Sequence, residues 1–184
     1  MSRALIDPRT GKPFASKKKD LSRLEFLVIH HAGPGTERWT PETFIRHRHD
    51  SALAWRKREH AAKRPGTLYA YSGNGYNAAI FPDGSWFLDV PLNEMAWSTG
   101  GLNSISLAMV FAGDFTKKLP PEPALKRGEQ ILVAWQREFQ WRPKIIGHRD
   151  AIRYSKDATR TACPGDKLYP YLPTLIERVE GYRK

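Results

Sequence analysis

An α/β architecture, one domain built on a central mixed β-sheet flanked by helices, is what this sequence predicts. Three observations carry it. Short apolar runs of strand length recur at 24–30, 76–81, 85–89, 105–111 and 144–148. A stretch between Glu122 and Trp141 repeats its apolar residues at helical spacing. Strand-like and helical stretches are interleaved, the order expected of an α/β layer. The 184 residues suit one domain with a well-buried core.

Each element has a local reason. Residues 1–20 read as a basic extension, punctuated by Asp7-Pro8, Gly11 and Pro13 and ending in a solvated Lys17-Lys18-Lys19 run, with the folded domain spanning 21–184. Leu24 to His30 is a mostly apolar strand that stops before Gly33-Pro34-Gly35, so His30 and His31 stand where strand gives way to loop. Thr40-Pro41-Glu42 starts a helix, with a Thr cap and Pro in the first position, that carries Phe44 and runs past His49. The dense charge over 46–64 reads as a solvated helix face. Gly73-Asn74-Gly75 turns into one strand, and Pro82-Asp83-Gly84 joins it to the next as a hairpin. Ile105 to Phe111 is a central strand, and Leu125, Ile131, Leu132, Trp135 and Phe139 give the clearest amphipathic helix. Lys144 to His148 is a short buried strand, and a last helix holds Leu175, Ile176 and Val179.

Composition narrows the function classes. No apolar run approaches the length needed to cross a bilayer. The polar N-terminus lacks a signal-peptide core, so synthesis in a cytoplasm without Sec export is expected. Cys163 is the only cysteine, which excludes an intrachain disulfide. A net charge of +11 calls for an anionic partner, and both nucleic acid and a phosphate-bearing bacterial envelope fit. The chain carries no recognisable nucleic-acid reading motif, so no nucleic-acid partner is expected.

His30, His148 and Cys163 are candidate metal ligands. Two follow strand-like runs, and the third sits in the loop Thr161-Ala162-Cys163-Pro164-Gly165. Zinc accepts imidazole and thiolate, and catalytic sites use three protein ligands while leaving one position open. A sheet fixes the backbone at a strand end while the side chain points into a crevice. The three lie far apart in the chain, unlike a compact finger, and each histidine taken singly reads first as a surface or hydrogen-bonded residue.

The words around them add to this. Val28-Ile29-His30-His31, Gly75-Tyr76-Asn77, Asp83-Gly84, Glu94-Met95-Ala96-Trp97, Asn103-Ser104-Ile105-Ser106, Gly147-His148-Arg149-Asp150 and Thr161-Ala162-Cys163-Pro164-Gly165 occur in one order. Over residues 24–172 the chain resembles the type 2 N-acetylmuramoyl-L-alanine amidase family, which takes in phage lysozyme-type amidases and the peptidoglycan recognition proteins. The resemblance implies a Zn2+ site at strand ends in a surface groove, held by His30, His148 and Cys163. It implies Tyr76 and Thr161 as catalytic residues, and Asn77 and Trp97 as substrate-binding ones. The implied reaction is hydrolysis of the peptidoglycan amide between N-acetylmuramic acid and L-Ala. Zinc would supply hydroxide at neutral pH, and the Tyr76 hydroxyl would steady the developing oxyanion.

Two departures stand out. Ser98 follows Trp97 where many members have histidine, and Ala108 stands where some have glutamate, which leaves the general base unassigned. The segment between His30 and Tyr76 is also longer than usual. His31 reads as structural, since adjacent strand residues face opposite ways. Asp150 reads either as an orienter of a zinc ligand or as an ion-pair partner of Arg149 or Arg153. The expected protein is a monomeric phage or prophage endolysin. It would act on the cell wall after release from the cytoplasm, its basic surface meeting the anionic envelope. A cytosolic muropeptide-recycling amidase and a non-catalytic peptidoglycan-binding protein are the alternatives.

Overall fold

The computed structural model describes residues 17–47, 50 and 75–182. The extension up to residue 16, most of the charged 46–64 segment and Gly73-Asn74 lie outside these. Five strands form one sheet: β1 (Phe26–His31), β2 (Ala78–Ile80), β3 (Trp86–Leu88), β4 (Ser106–Phe111) and β5 (Lys144–Gly147). Their spatial order is β3-β2-β4-β1-β5, with β3 antiparallel to β2 and every other pairing parallel. The sheet is therefore mixed, and β1 and β4 are the central strands.

Parallel strands covered on both faces read as nearly continuous apolar runs, and β1 and β4 do so. Side chains alternate across the sheet. Leu27, Ile29, Leu107, Met109 and Phe111 join one core with helices α2 (Glu122–Glu138) and α3 (Leu168–Gly181) through Leu132, Trp135, Leu172 and Leu175. Phe26 and Val28 face the other way, toward Ile146 and Ala151. On that second face Phe44, from helix α1 (described over 41–47 and at 50), packs on Ala79, Phe81 and Val110. The Thr40 hydroxyl caps α1 by accepting from the Thr43 N–H at 3.4 Å. The β2–β3 turn is the expected hairpin, with the Asp83 carboxylate accepting from the Ser85 N–H at 2.9 Å.

Lys17 and Lys18 keep the exposed side chains expected of a solvated run, but the backbone of Lys17 to Lys19 is paired and Lys19 is part-buried. Lys18 forms an antiparallel bridge with Glu94, the Lys19 N–H donates to the Asn93 carbonyl at 2.9 Å, and the Lys17 carbonyl accepts from Met95. The segment is held by backbone pairing, a contact that a run of like charges in the sequence does not advertise. Lys18 pairs with the Glu94 carboxylate at 2.6 Å. Lys19 Nζ donates to the Ser106 carbonyl at 2.6 Å, and burial pulls its pKa down to about 7.

That shift has a pH consequence. Between about 7 and the ordinary 10.5 the unfolded chain holds a proton on Lys19 that the folded chain has released. Stability contributed by this residue therefore rises with pH across that window, and the full penalty is present below it. Lys19→Met is expected to flatten this rise and to raise the urea midpoint at pH 7 more than at pH 10. A wild-type midpoint that tracks the variant's at both pH values would contradict the part-buried placement of Lys19.

Candidate metal centre

Parallel pairing of β1 with β5 matches Ile29 to Gly147. The next residues, His30 and His148, then emerge side by side at the carboxyl edge of the sheet, with ring centroids 4.4 Å apart. His148 opens a short 3-10 helix, His148–Arg153, so the chain turns away as soon as the ring is placed. Cys163 comes from the loop before α3. Gly165 in that loop takes φ +101°, and a Cβ there would lie 2.5 Å from the Phe115 backbone, so only glycine lets the loop close on residues 115–116. The Lys167 N–H donates to the Phe115 carbonyl at 2.9 Å and secures it.

The result is one cluster. The ligand atoms of His30, His148 and Cys163 all lie within 4.8 Å of one another. His30 Nδ1 faces Cys163 Sγ at 3.7 Å. Tetrahedral zinc with Zn–N of about 2.05 Å and Zn–S of about 2.3 Å needs a nitrogen–sulfur separation of roughly 3.6 Å. The His30–Cys163 pair meets that spacing, and two imidazoles with one thiol are a donor set that zinc accepts.

The electrostatics agree. Burial, then the neighbouring His148 and His31, hold the His30 pKa well below its usual value; burial first and His31 second lower that of His148. Both rings are neutral at pH 7, as ligands must be. Burial pushes the Cys163 thiol up to about 12, against the opposing pull of the His31 N–H, 3.4 Å from the sulfur, and of Arg149. The sulfur keeps its proton unless a cation displaces it.

The other site residues divide. The Tyr76 ring stands edge-on to His30, centroids 5.1 Å apart, and closes one side of the cluster. The Thr161 hydroxyl accepts from the Cys163 N–H at 3.1 Å, which orders the ligand loop. Trp97 is half-buried, two residues before Thr99, whose hydroxyl oxygen lies 3.1 Å from His30 Nε2. Asn77 is a correction. It is fully buried; its amide donates to the Val90 and Pro91 carbonyls at 3.1 and 3.2 Å, and its oxygen accepts from the Ala108 N–H at 3.0 Å. A side chain spent on three backbone groups does not reach substrate.

Asp150 does not orient a ligand either. It accepts from the Gly147 N–H at 3.1 Å and the Tyr169 hydroxyl at 2.6 Å, and meets Arg153 at 3.4 Å. Arg149 pairs instead with Asp166 at 2.9 Å. His31 points to the opposite face from His30, as expected, with Nδ1 accepting from the Phe115 N–H at 3.3 Å. Thr99 and Asn103 are the residues that sequence reasoning missed as supports of the centre. Asn103 lay within one of the quoted words, while Thr99 carried no signal, because a threonine in a glycine-rich turn is unremarkable.

Two imidazoles and a thiol converging at the carboxyl edge of the sheet, beside a tyrosine, define a protein with a candidate metal site at its strand ends. Its lineage agrees. The chain belongs to the N-acetylmuramoyl-L-alanine amidase family, whose family model matches residues 20–166. Peptidoglycan-recognition protein 1 of Holotrichia diomphalia is 29% identical over 163 residues, covering 88% of this chain and 72% of that protein. Peptidoglycan recognition protein 4 of Homo sapiens is 29% identical over 102 residues, which span 26% of its length. Among solved structures, Drosophila PGRP-LB superposes with a TM-score of 0.65 at 19% identity, covering 88% of this chain and 86% of that one. The endolysin N-acetylmuramoyl-L-alanine amidase LysCS of Clostridium intestinale does so with a TM-score of 0.64 at 16% identity, covering 98% and 97%. At these identities the two structures show a shared fold.

Asn77→Ala is expected to destabilise the protein by about 2–4 kcal/mol, because three buried backbone groups lose their partner. Urea unfolding measures this; an unchanged midpoint with a raised KM would return Asn77 to a substrate-contacting role.

Proposed function

We propose that this protein is a zinc-dependent N-acetylmuramoyl-L-alanine amidase that cuts peptidoglycan between N-acetylmuramic acid and L-Ala, working as a phage or prophage endolysin. The observation that carries the reading is the convergence of His30, His148 and Cys163 beside Tyr76. When bound, zinc makes water nucleophilic at neutral pH and polarises the scissile carbonyl.

The chain's own residues do the rest. His30, His148 and Cys163 would hold the ion: the neutral rings offer their lone pairs without losing a proton, while Cys163 would release its thiol proton to solvent and bind as the thiolate. The Tyr76 hydroxyl donates to the substrate carbonyl oxygen as it becomes anionic, a contact worth roughly 10²–10³-fold in kcat. Thr161 uses one lone pair of its hydroxyl on the Cys163 N–H, which leaves its O–H as a donor to the same oxygen. Trp97 offers an aromatic edge to the sugar. The +11 charge draws the protein to an anionic envelope after release from the cytoplasm in which it is made.

A second reading, recognition of peptidoglycan without hydrolysis, is favoured by the names of the relatives. One experiment separates the two. Purified protein added to sacculi should clear the suspension, EDTA should stop this and zinc restore it, and the products should carry new N-terminal alanine. New reducing sugar ends would overturn the amidase assignment. Binding to sacculi without any cleavage would favour the recognition reading, and cleavage of soluble muropeptides alone would point to recycling. Tyr76→Phe is expected to lose about 10²–10³-fold in kcat with zinc content unchanged, whereas Cys163→Ser should lose the metal itself.

A further inference from the structure

His30 is buried, so both ring nitrogens need an assigned role. Nδ1 faces Cys163 Sγ at 3.7 Å. Nε2 has one hydrogen-bond partner among the described residues, the Thr99 hydroxyl at 3.1 Å. Thr99 is itself fully buried.

The turn that carries Thr99 does not need this hydroxyl. The Asn103 carboxamide oxygen accepts both the Thr99 N–H at 2.8 Å and the Ser98 N–H at 3.1 Å, and the Thr99 carbonyl accepts from the Leu102 N–H at 3.0 Å. Gly101 takes φ +76°, and a Cβ there would lie 1.9 Å from Ser155 Oγ, so the turn is wedged against residues 155–157. Backbone and carboxamide therefore set the turn, and the Thr99 hydroxyl is left to the histidine. Its own hydrogen has an outlet in Ser98 Oγ at 3.4 Å.

We propose that Thr99 is a positioning residue for the metal centre: its buried hydroxyl accepts the Nε2–H of His30 and holds the Nδ1 lone pair toward Cys163 and His148. A histidine ligand is fixed in tautomer and ring orientation by what its other nitrogen bonds. A ring in the opposite tautomer would present Nδ1–H to the cation and would have to shift its proton before binding. Asn103 acts one step further out, by holding the turn. This inference rests on the metal reading above and adds a residue to it.

The test has two arms, neither of which depends on catalysis. In metal-free wild-type protein, nitrogen-15 NMR of the His30 ring should report the Nε2–H tautomer. Zinc dissociation constants, measured by competition with a chromophoric chelator, should rise about 10–100-fold in Thr99→Val and return to within about threefold of wild type in Thr99→Ser, where the hydroxyl is kept. Equal zinc affinity in wild type and Thr99→Val overturns the inference while leaving the metal reading in place. A wild-type protein that takes up no zinc overturns the metal reading and the inference with it. If Thr99→Val does not fold, the wild-type spectrum still decides, because an Nδ1–H tautomer is incompatible with the role assigned to Thr99.

Discussion

Everything at the centre depends on the parallel ladder between β1 and β5. Its register sets Ile29 opposite Gly147 and so brings His30 and His148 out together on one face. A slip of one residue would turn every side chain of a strand to the other face, separating the two rings. Burial protects the register: Leu27, Val28 and Ile29 are all inaccessible to solvent, on alternating faces. Gly147 contributes in a second way. A Cβ there would lie 2.9 Å from the Tyr169 ring and 3.1 Å from Pro164, so its bareness lets both α3 and the Cys163 loop close on the strand. One glycine thus links the ladder to the third ligand.

The cluster is assembled from groups that can be buried while neutral. Two imidazoles with lowered pKa values and a thiol with a raised one carry no charge at pH 7, so folding does not require an ion to be present in order to cancel buried charge. The charged residues nearby are used elsewhere. Asp150 caps the turn after β5 and meets Tyr169 and Arg153, and Arg149 reaches Asp166 at the surface. This separation keeps the ligands available, since a carboxylate drawn into the cluster would compete for the same cation.

Legibility in the sequence followed the kind of signal involved. β1, β4, β5 and α2 were readable because each is a run whose period matches its burial, and the hairpin because Asp83-Gly84 has turn chemistry. His30, His148 and Cys163 were readable as residue types in recurring words, though nothing in their spacing says that they meet. Asn77 misled for the same reason that it matters. A polar residue beside a tyrosine looks like a contact to substrate, yet its amide fills three backbone valences in the core. Lys19 misled because a run of three lysines gives no hint that the backbone pairs with 93–95.

The sequence alone determined the α/β class, the order of the elements, the three candidate ligands and the presence of Tyr76 within the Gly-Tyr-Asn word. These are local or compositional properties, and a single strand or word carries each of them. Only the tertiary structure decided which nitrogen of His30 faces the sulfur, that Thr99 holds the other, and that Asp150 and Asn77 serve the backbone. Those choices belong to side chains brought together from opposite ends of the chain. Their outcome turns on ångström-scale contacts in a packed interior, where a buried polar atom takes whichever partner the fold places within reach.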